Sequence, residues 1–205
     1  MKYTKFLFLG LLSSALVIAN CGQKPAQLAG DAYPVASASG TNYEIDTNKS
    51  TLKWIGSKVS MKHNGTVNIK SGVLTAKGGN VTSGKFVIDM PTLVNSDQEG
   101  TWKAKLEGHL KSEDFFDVAK FPESTFEIAS VTKTDKGYEV RGNLTVKGIT
   151  KGISFPAEVN FASDKPVSAK GTAVINRKDW GIVYPGMPDD LIGDNVEFEL
   201  NLVTK

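Results

Sequence analysis

The feature that most limits what this chain can become is the strict two-residue alternation of its C-terminal half. Tyr138, Val140, Gly142, Leu144 and Val146 share one phase, while Glu139, Arg141, Asn143, Thr145 and Lys147 share the other. Ile153, Phe155, Ala157, Val159 and Phe161 repeat the pattern. So do Val167 to Ile175 and Val196 to Leu202. Each run is apolar on one face only, which predicts antiparallel strands with one buried side. Turn chemistry separates them at Asp135-Lys136-Gly137 and Ser163-Asp164-Lys165-Pro166. The N-terminal half adds Tyr43–Ile45, Leu52–Val59, Val67–Leu74 and Val81–Met90, with a hairpin turn at Ala76 to Asn80. In the second of these the apolar phase changes near Gly56, which predicts a β-bulge.

Eight or nine one-faced strands must bury their apolar sides as a sandwich or as a closed barrel. Gly142 and Gly171 fall in the inward phase with Ala157, Ala169 and Ala173. Missing or short side chains there favour a barrel, because they permit bending and leave interior space. The fold class expected is therefore all-β: an eight-stranded antiparallel barrel. Whether its interior is hollow or filled by its own side chains stays open on these residues. The interior aromatic candidates are Trp54, Phe86, Phe126, Tyr138, Phe155, Phe161, Trp180 and Phe198.

One stretch breaks the alternation. Trp102, Leu106 and Leu110 recur every four residues, a helical period. Ser96-Asp97-Gln98-Glu99 reads as a capping box, and Glu99–Lys103 and Lys103–Glu107 are i,i+4 pairs. Gly108 is expected to end or bend the helix, with Ser112 starting a short turn through Phe115-Phe116. A lone helix between two β blocks covers a sheet or a barrel mouth. Trp102, Leu106, His109 and Leu110 are its expected covering residues, and adjacent Phe115 and Phe116 point about 100° apart on a helix, so one is expected to seal the mouth.

The N-terminus is of another kind. Lys2 and Lys5 precede an apolar run from Phe6 to Ala19, which is shorter than a membrane span of about 20 residues and has the layout of a secretory signal. Ile18-Ala19-Asn20-Cys21 resembles a bacterial lipobox, departing from it at Asn20. Residues 1–20 are thus expected to be a lipoprotein-type signal. Cys21 is the expected lipidation site, and residues 21–41 a flexible tether rich in Ala, Gly, Ser and Pro. Residues 42–205 form the domain. The expected location is the cell envelope or periplasm, anchored to a bacterial membrane through Cys21. With one cysteine no intramolecular disulfide can stabilise the fold. Without Lys2 and Lys5 the chain carries 22 basic and 22 acidic side chains, so no net field favours a nucleic acid.

Catalytic and metal chemistry lack the usual residues. His63 and His109 are the only histidines and have no ligand spacing, no Gly-x-Ser-x-Gly elbow is present, and Cys21 precedes the domain. The expectation is a chain without catalytic function, metal or cofactor.

Several spaced motifs then point to one family. They are Tyr43-Glu44-Ile45-Asp46 and Trp54-Ile55-Gly56, His109-Leu110-Lys111-Ser112-Glu113-Asp114-Phe115-Phe116-Asp117 with Phe121-Pro122, Gly142 to Lys151, and Arg177-Lys178-Asp179-Trp180-Gly181-Ile182. Their order and spacing resemble the YceI-like family across Tyr43 to Lys205. The resemblance implies a lipocalin-like barrel of an exported bacterial protein, whose interior holds a long isoprenoid or similar lipid. Where many members carry Arg-Asp before the His-Leu pair, this chain has Leu106-Glu107, so a headgroup role for that Arg does not carry over. A buried chain of about thirty to forty carbons at about 0.3 kcal/mol per atom would supply roughly 9–12 kcal/mol. That needs no dedicated polar site. The alternatives are an envelope protein–protein interaction module with a filled barrel, or an enzyme on small apolar compounds. Pairing of two barrels into a homodimer is left open.

Overall fold

The computed structural model describes residues 25–35 and 37–205. The signal and lipobox readings, Cys21 included, lie outside the described residues. Eleven strands are present: β1 (Thr41–Glu44), β2 (Thr51–Ser57), β3 (Lys62–Lys77), β4 (Asn80–Asn95), β5 (Glu123–Thr134), β6 (Gly137–Val146), β7 (Ile149–Ala162), β8 (Lys165–Asn176), β9 (Gly186–Met187), β10 (Asp190–Leu191) and β11 (Asn195–Val203). One α-helix, α1 (Gly100–Lys111), and a 3-10 turn at Arg177–Trp180 complete the described elements.

The strands run β3-β2-β11-β8-β7-β6-β5-β4, and β4 pairs back to β3, closing an eight-stranded antiparallel barrel. β1 is an extra strand on the lower half of β3, pairing Thr41 with Ala76 and Glu44 with Val73. The expected alternation sets the inward face: Val140, Ile153, Phe155, Ile175 and Leu202 are all buried. Tight turns join the hairpins where left-handed backbone is supplied, by Gly78-Gly79 and by Lys147-Gly148.

Connections at 57–62, 95–123, 146–149 and 176–195 all gather at one end, the mouth. The turns at 44–51, 77–80, 134–137 and 162–165 gather at the other. Helix α1 lies at the mouth with no fully buried residue, so it is a cover and not a core element. Its Glu107 Oε1 accepts the Asn95 N–H of β4 at 2.8 Å.

Two local expectations are corrected, and a third is narrowed. β2 keeps an unbroken register with β3 through Gly56, so the expected bulge is absent. Ile55 is only the outward, half-buried member of the alternation. The register shifts fall instead in β3–β4, β5 and β7–β8. The capping box does not form: Glu99 is the N-cap residue and makes no side-chain cap bond. Ser96 N–H is held by Asn64 O and Gln98 N–H by Asn95 Oδ1, which pins this segment to β3 and β4 before the helix begins. The helix passes through Gly108 without ending, and Ser112 Oγ closes it on His109 O at 2.8 Å.

The barrel wall is incomplete on one side. β7 and β8 pair only from Ala157–Gly171 toward the far end. Toward the mouth, residues of the expected tether lie across the gap. Gln27 N–H donates to Val174 O of β8 at 2.8 Å, and Gly30 and Gly152 of β7 exchange backbone bonds at 3.0 Å. Tyr33 continues onto β6, where its N–H and C=O both pair with the Asn143 side chain, at 2.8 and 2.9 Å. Gly152 admits this approach because a Cβ there would meet the Tyr33 ring at 2.9 Å. The arm then descends to Ser39, whose C=O accepts from Thr82 Oγ1 at the far end.

Candidate functional site: an apolar cavity under a helical cover

The inward faces of the strands do not meet everywhere. Beneath α1 they enclose a cavity of about 380 Å³, whose upper wall includes Leu52, Trp54, Met90 and Ile175. A second void of about 40 Å³ lies toward the far end, among Leu74, Val81, Ile128 and Val140. Phe86, Phe126 and Phe155 border both spaces and form a partition between them. Their rings touch in sequence, with centroids 6.5 Å apart for Phe86–Phe126 and 5.6 Å for Phe126–Phe155.

Each of these rings lies on a glycine of a neighbouring strand. A Cβ on Gly142 would stand 2.8 Å from Phe126 Cε2 and 2.6 Å from Glu127 O. Added Cβ atoms on Gly72 and Gly171 would stand 2.8 Å from Phe86 and 3.1 Å from Phe155. The two inward glycines noted in the sequence, Gly142 and Gly171, therefore seat aromatic rings. They provide a layer across the barrel that bulkier residues would displace.

The cover brings together residues far apart in the chain. Leu106, His109 and Leu110 of α1 face the cavity, as do both Phe115 and Phe116 from the following turn. His109 packs edge-on against Phe115 at 4.9 Å and against Tyr184 at 4.8 Å, so α1 and the 181–194 connection meet over the mouth. The other His109 edge faces solvent, with Nε2 3.0 Å from Asp114 Oδ2. Arg177 holds the 181–194 connection in place. Its guanidinium is buried and donates to Ile182 O at 2.6 Å, Gly193 O at 3.0 Å and Ile192 O at 3.3 Å, with Asp194 3.5 Å away. Burial pushes the Arg177 guanidinium down from its ordinary value, and Asp194 opposes that shift. On the other side of the mouth, Asp97 accepts from Asn64 N–H at 2.7 Å and Asn95 Nδ2 at 2.6 Å, and lies 2.8 Å from His63 Nδ1. Burial pushes the Asp97 carboxyl up, but these hydrogen bonds outweigh it and hold it below its ordinary value.

Of the expected ligand-facing aromatics, Trp54, Phe86, Phe115, Phe116, Phe126, Phe155 and Phe198 line the cavity. Tyr138, Phe161 and Trp180 do not. Tyr138 pairs with Ala157 at the far end. Phe161 follows a register shift and packs half-buried against the core. Trp180 is wholly buried, its indole N–H donating to Leu144 O at 3.1 Å. Trp102, expected in the cover, is 70% exposed on the outer side of α1, with Lys105 Nζ 5.2 Å from its ring centroid. Tyr184, Arg177 and Met187 reach the cavity without having been expected there. Tyr184 and Met187 sit in a segment with no periodicity, and only Arg177 belonged to a quoted motif. Among the described residues no three His, Cys, Asp or Glu side chains converge as a metal site would need.

A closed eight-stranded antiparallel barrel with an apolar cavity under a cover defines a lipocalin-like barrel. Comparison with known families agrees: the YceI-like domain matches residues 43–204, and the chain belongs to that family. It is 35% identical over 102 residues to a UPF0312 protein of Pseudomonas syringae pv. tomato, covering 47% of this chain and 53% of that protein. With a UPF0312 protein of Yersinia pestis it shares 36% over 74 residues, covering 36% of this chain and 38% of that protein. The chain thus matches about half or less of the length of these curated relatives. In fold it is similar to BcnA of Burkholderia cenocepacia (TM-score 0.63, 18% identity, 78% of this chain and 99% of that one). It is also similar to a polyisoprenoid-binding domain from Saccharophagus degradans implicated in plant cell wall breakdown (TM-score 0.57, 15% identity, 80% and 97%).

Proposed function

We propose that this protein holds a long-chain isoprenoid or similar lipid in its barrel and acts as an envelope lipoprotein, without catalysis. The observation that carries the reading is the cavity of about 380 Å³ walled by apolar side chains, within the roughly 300–1,000 Å³ of small-molecule sites. A barrel filled by its own side chains would leave no such space, which weighs against an interaction module with a solid core. The polar groups at its edge are committed elsewhere: Arg177 to three carbonyls, Lys58 to Asp190, His109 to Asp114. Arg177, Lys58 and His109 are thus not free to form a charged headgroup site deep in the barrel, and the ligand's polar end stays at the mouth. The phenylalanine partition limits the depth an acyl or prenyl chain reaches. A ligand of thirty to forty carbons must fold back or extend past the cover. Family membership supports the ligand class, since a related domain of this fold is described as polyisoprenoid-binding. Export and anchoring at Cys21 rest on the N-terminal residues.

Native mass spectrometry of the full-length protein purified from bacterial cells tests this. The expected result is a co-purifying lipid released by organic solvent. A chain that emerges bare from lipid-replete cells, and fails to take up a prenol added in detergent, would overturn it. For the anchor, Cys21→Ala is expected to move the mature protein from the membrane fraction to the soluble one.

A further inference from the structure

From Thr41 onward, the large apolar side chains that remain exposed among the described residues are Val59, Met61, Trp102, Ile149, Val183, Met187 and Leu191. Every one belongs to a connection or helix at the mouth end, and none to the four far-end turns. Those turns are built from Asp46 to Lys49, Lys77 to Asn80, Thr134 to Gly137 and Ala162 to Lys165, all short or polar. Scattered exposed apolar residues are normal on a protein, but such one-ended segregation marks a surface with a partner.

Within the mouth end, the 58–61 loop and the β9–β10 hairpin are held as a unit. Val59 N–H donates to Leu191 O at 3.0 Å, Gly193 N–H to Ser57 O at 2.7 Å, and Asp190 pairs with Met187 across the β9–β10 hairpin. Lys58 and Asp190 form an ion pair that ties the 58–61 loop to the hairpin. Met187 is 62% exposed and also lines the cavity, so the apolar surface and the cavity are continuous at that point. Over the mouth connections 9 basic side chains stand against 11 acidic ones, which gives no electrostatic pull toward an anionic partner.

A separate observation says what covers this end. The arm on the barrel wall runs from the far end at Ser39 up to Gln27, bonded to Val174 near the mouth end of β8. At Gln27 the arm has therefore reached the mouth side of the barrel. Cys21 is six residues before Gln27, within about 20 Å along any chain path, so a lipid carried on its thiol would lie on this side. Leu28, 95% exposed, sits at the same departure point.

We infer that the mouth end docks on a lipid bilayer surface, with Val59, Met61, Trp102, Val183, Met187 and Leu191 inserted at the level of the headgroups. The arm, strapped to β6, β7 and β8, fixes the barrel in that orientation instead of letting it swing on a tether. The contact is apolar and works on a zwitterionic surface. It extends the lipid-holding reading by giving the ligand a direct path between bilayer and cavity, but the docking itself does not depend on which ligand the cavity holds.

The full-length chain bound to phosphatidylcholine vesicles tests it. Trp54 and Trp180 are buried, so iodide in water reports chiefly on Trp102. Vesicle binding is expected to lower the iodide quenching constant at least threefold, and brominated phosphatidylcholine to quench Trp102. The same chain carrying Trp102→Phe with Asp135→Trp, a reporter at the far end, is expected to remain open to iodide and untouched by bromolipid. The variant Val59→Ser/Val183→Ser/Met187→Ser/Leu191→Ser, all at exposed sites, is expected to restore iodide access to Trp102 while the chain stays vesicle-bound through its N-terminus. The inference is overturned if the far-end reporter is shielded instead, or if Trp102 is equally accessible with and without vesicles. It is also overturned if the mouth surface pairs two copies, seen as a dimer in sedimentation that the fourfold variant dissociates while bromolipid leaves Trp102 unquenched. A chain that co-purifies without lipid yet shows Trp102 quenched by bromolipid defeats the ligand reading and retains the docking.

Discussion

Phe126→Ala tests whether the aromatic partition sets the depth of the cavity. Phe126 is the middle ring of the partition, packed between Phe86 and Phe155 and seated on Gly142. Truncation deletes the six ring carbons and joins the cavity of about 380 Å³ to the void of about 40 Å³ below. The void alone is worth about one water-sized group. A flexible chain cannot fill the flat space of a ring, so about half of those positions become usable, which is three further methylenes. At about 0.8 kcal/mol each, they add roughly 2.4 kcal/mol for a chain long enough to reach them, about fiftyfold in affinity. Chains that end above the partition gain nothing and lose a few contacts with the ring. The assay is competition of n-alkanols or prenols of increasing length against a fluorescent lipid probe, in parent and variant. In the parent, affinity is expected to stop rising at a length where the variant continues to rise by about three carbons. Phe126 is partly buried and already borders open space, so the fold is weakened by about 3 kcal/mol, the low end for Phe→Ala changes, and Phe126→Leu serves as a milder control with a smaller extension. Identical length profiles in a folded variant would refute the partition as a depth limit.

Four further outcomes follow from the geometry. Gly142→Ala places a Cβ against the Phe126 ring and Glu127 O, and is expected to cost about 1–3 kcal/mol by overpacking, read as a lower midpoint in urea. Arg177→Met leaves the carbonyls of Ile182, Ile192 and Gly193 unpaired at about 1–3 kcal/mol each, and limited proteolysis is expected to cut within 181–194 first. Asn143→Ala removes two hydrogen bonds to Tyr33, about 1 kcal/mol apiece, so amide exchange at Tyr33 and Gly30 is expected to quicken while the far end is unchanged. Asp97 has a folded pKa below its unfolded value of about 3.9, so its contribution is full above that pH and is lost as pH falls through the folded value. Stability measured below about pH 4 should therefore fall more steeply in the parent than in Asp97→Asn.

Much of this protein is written locally. Because side chains alternate strictly along a strand, the phase holding Val140, Leu144, Phe155 and Ile175 identified the inward face before any pairing was known. The helical period of Leu106 and Leu110, between two β blocks, likewise located the cover. Capping at Ser96 and bulging at Gly56 are not legible locally, because both depend on what neighbouring strands offer. Asn64 and Asn95 capture the segment before α1, and the intact ladder with β3 keeps β2 regular through Gly56. Trp102 shares the helical stripe of Leu106 but falls on its outer edge, a rotation that only docking of α1 over the barrel decides.

The remaining features are properties of closure. An inward residue is a wall, a partition or plain core according to its height in the barrel, and height is set by which strands meet and with what stagger. That is why Phe126 and Phe155 border the cavity while Tyr138 and Phe161, in the same phases, lie below it. The arm from Gln27 to Tyr33 reads as tether because its attachment uses backbone groups and the amides of Gln27 and Asn143, which leave no apolar period. It docks because β7 and β8 splay toward the mouth and leave backbone groups that need partners. Periodicity along the chain thus determined which faces are buried; the long-range pairing of strands decided where the interior is hollow, what closes it, and which end of the barrel meets the membrane we infer.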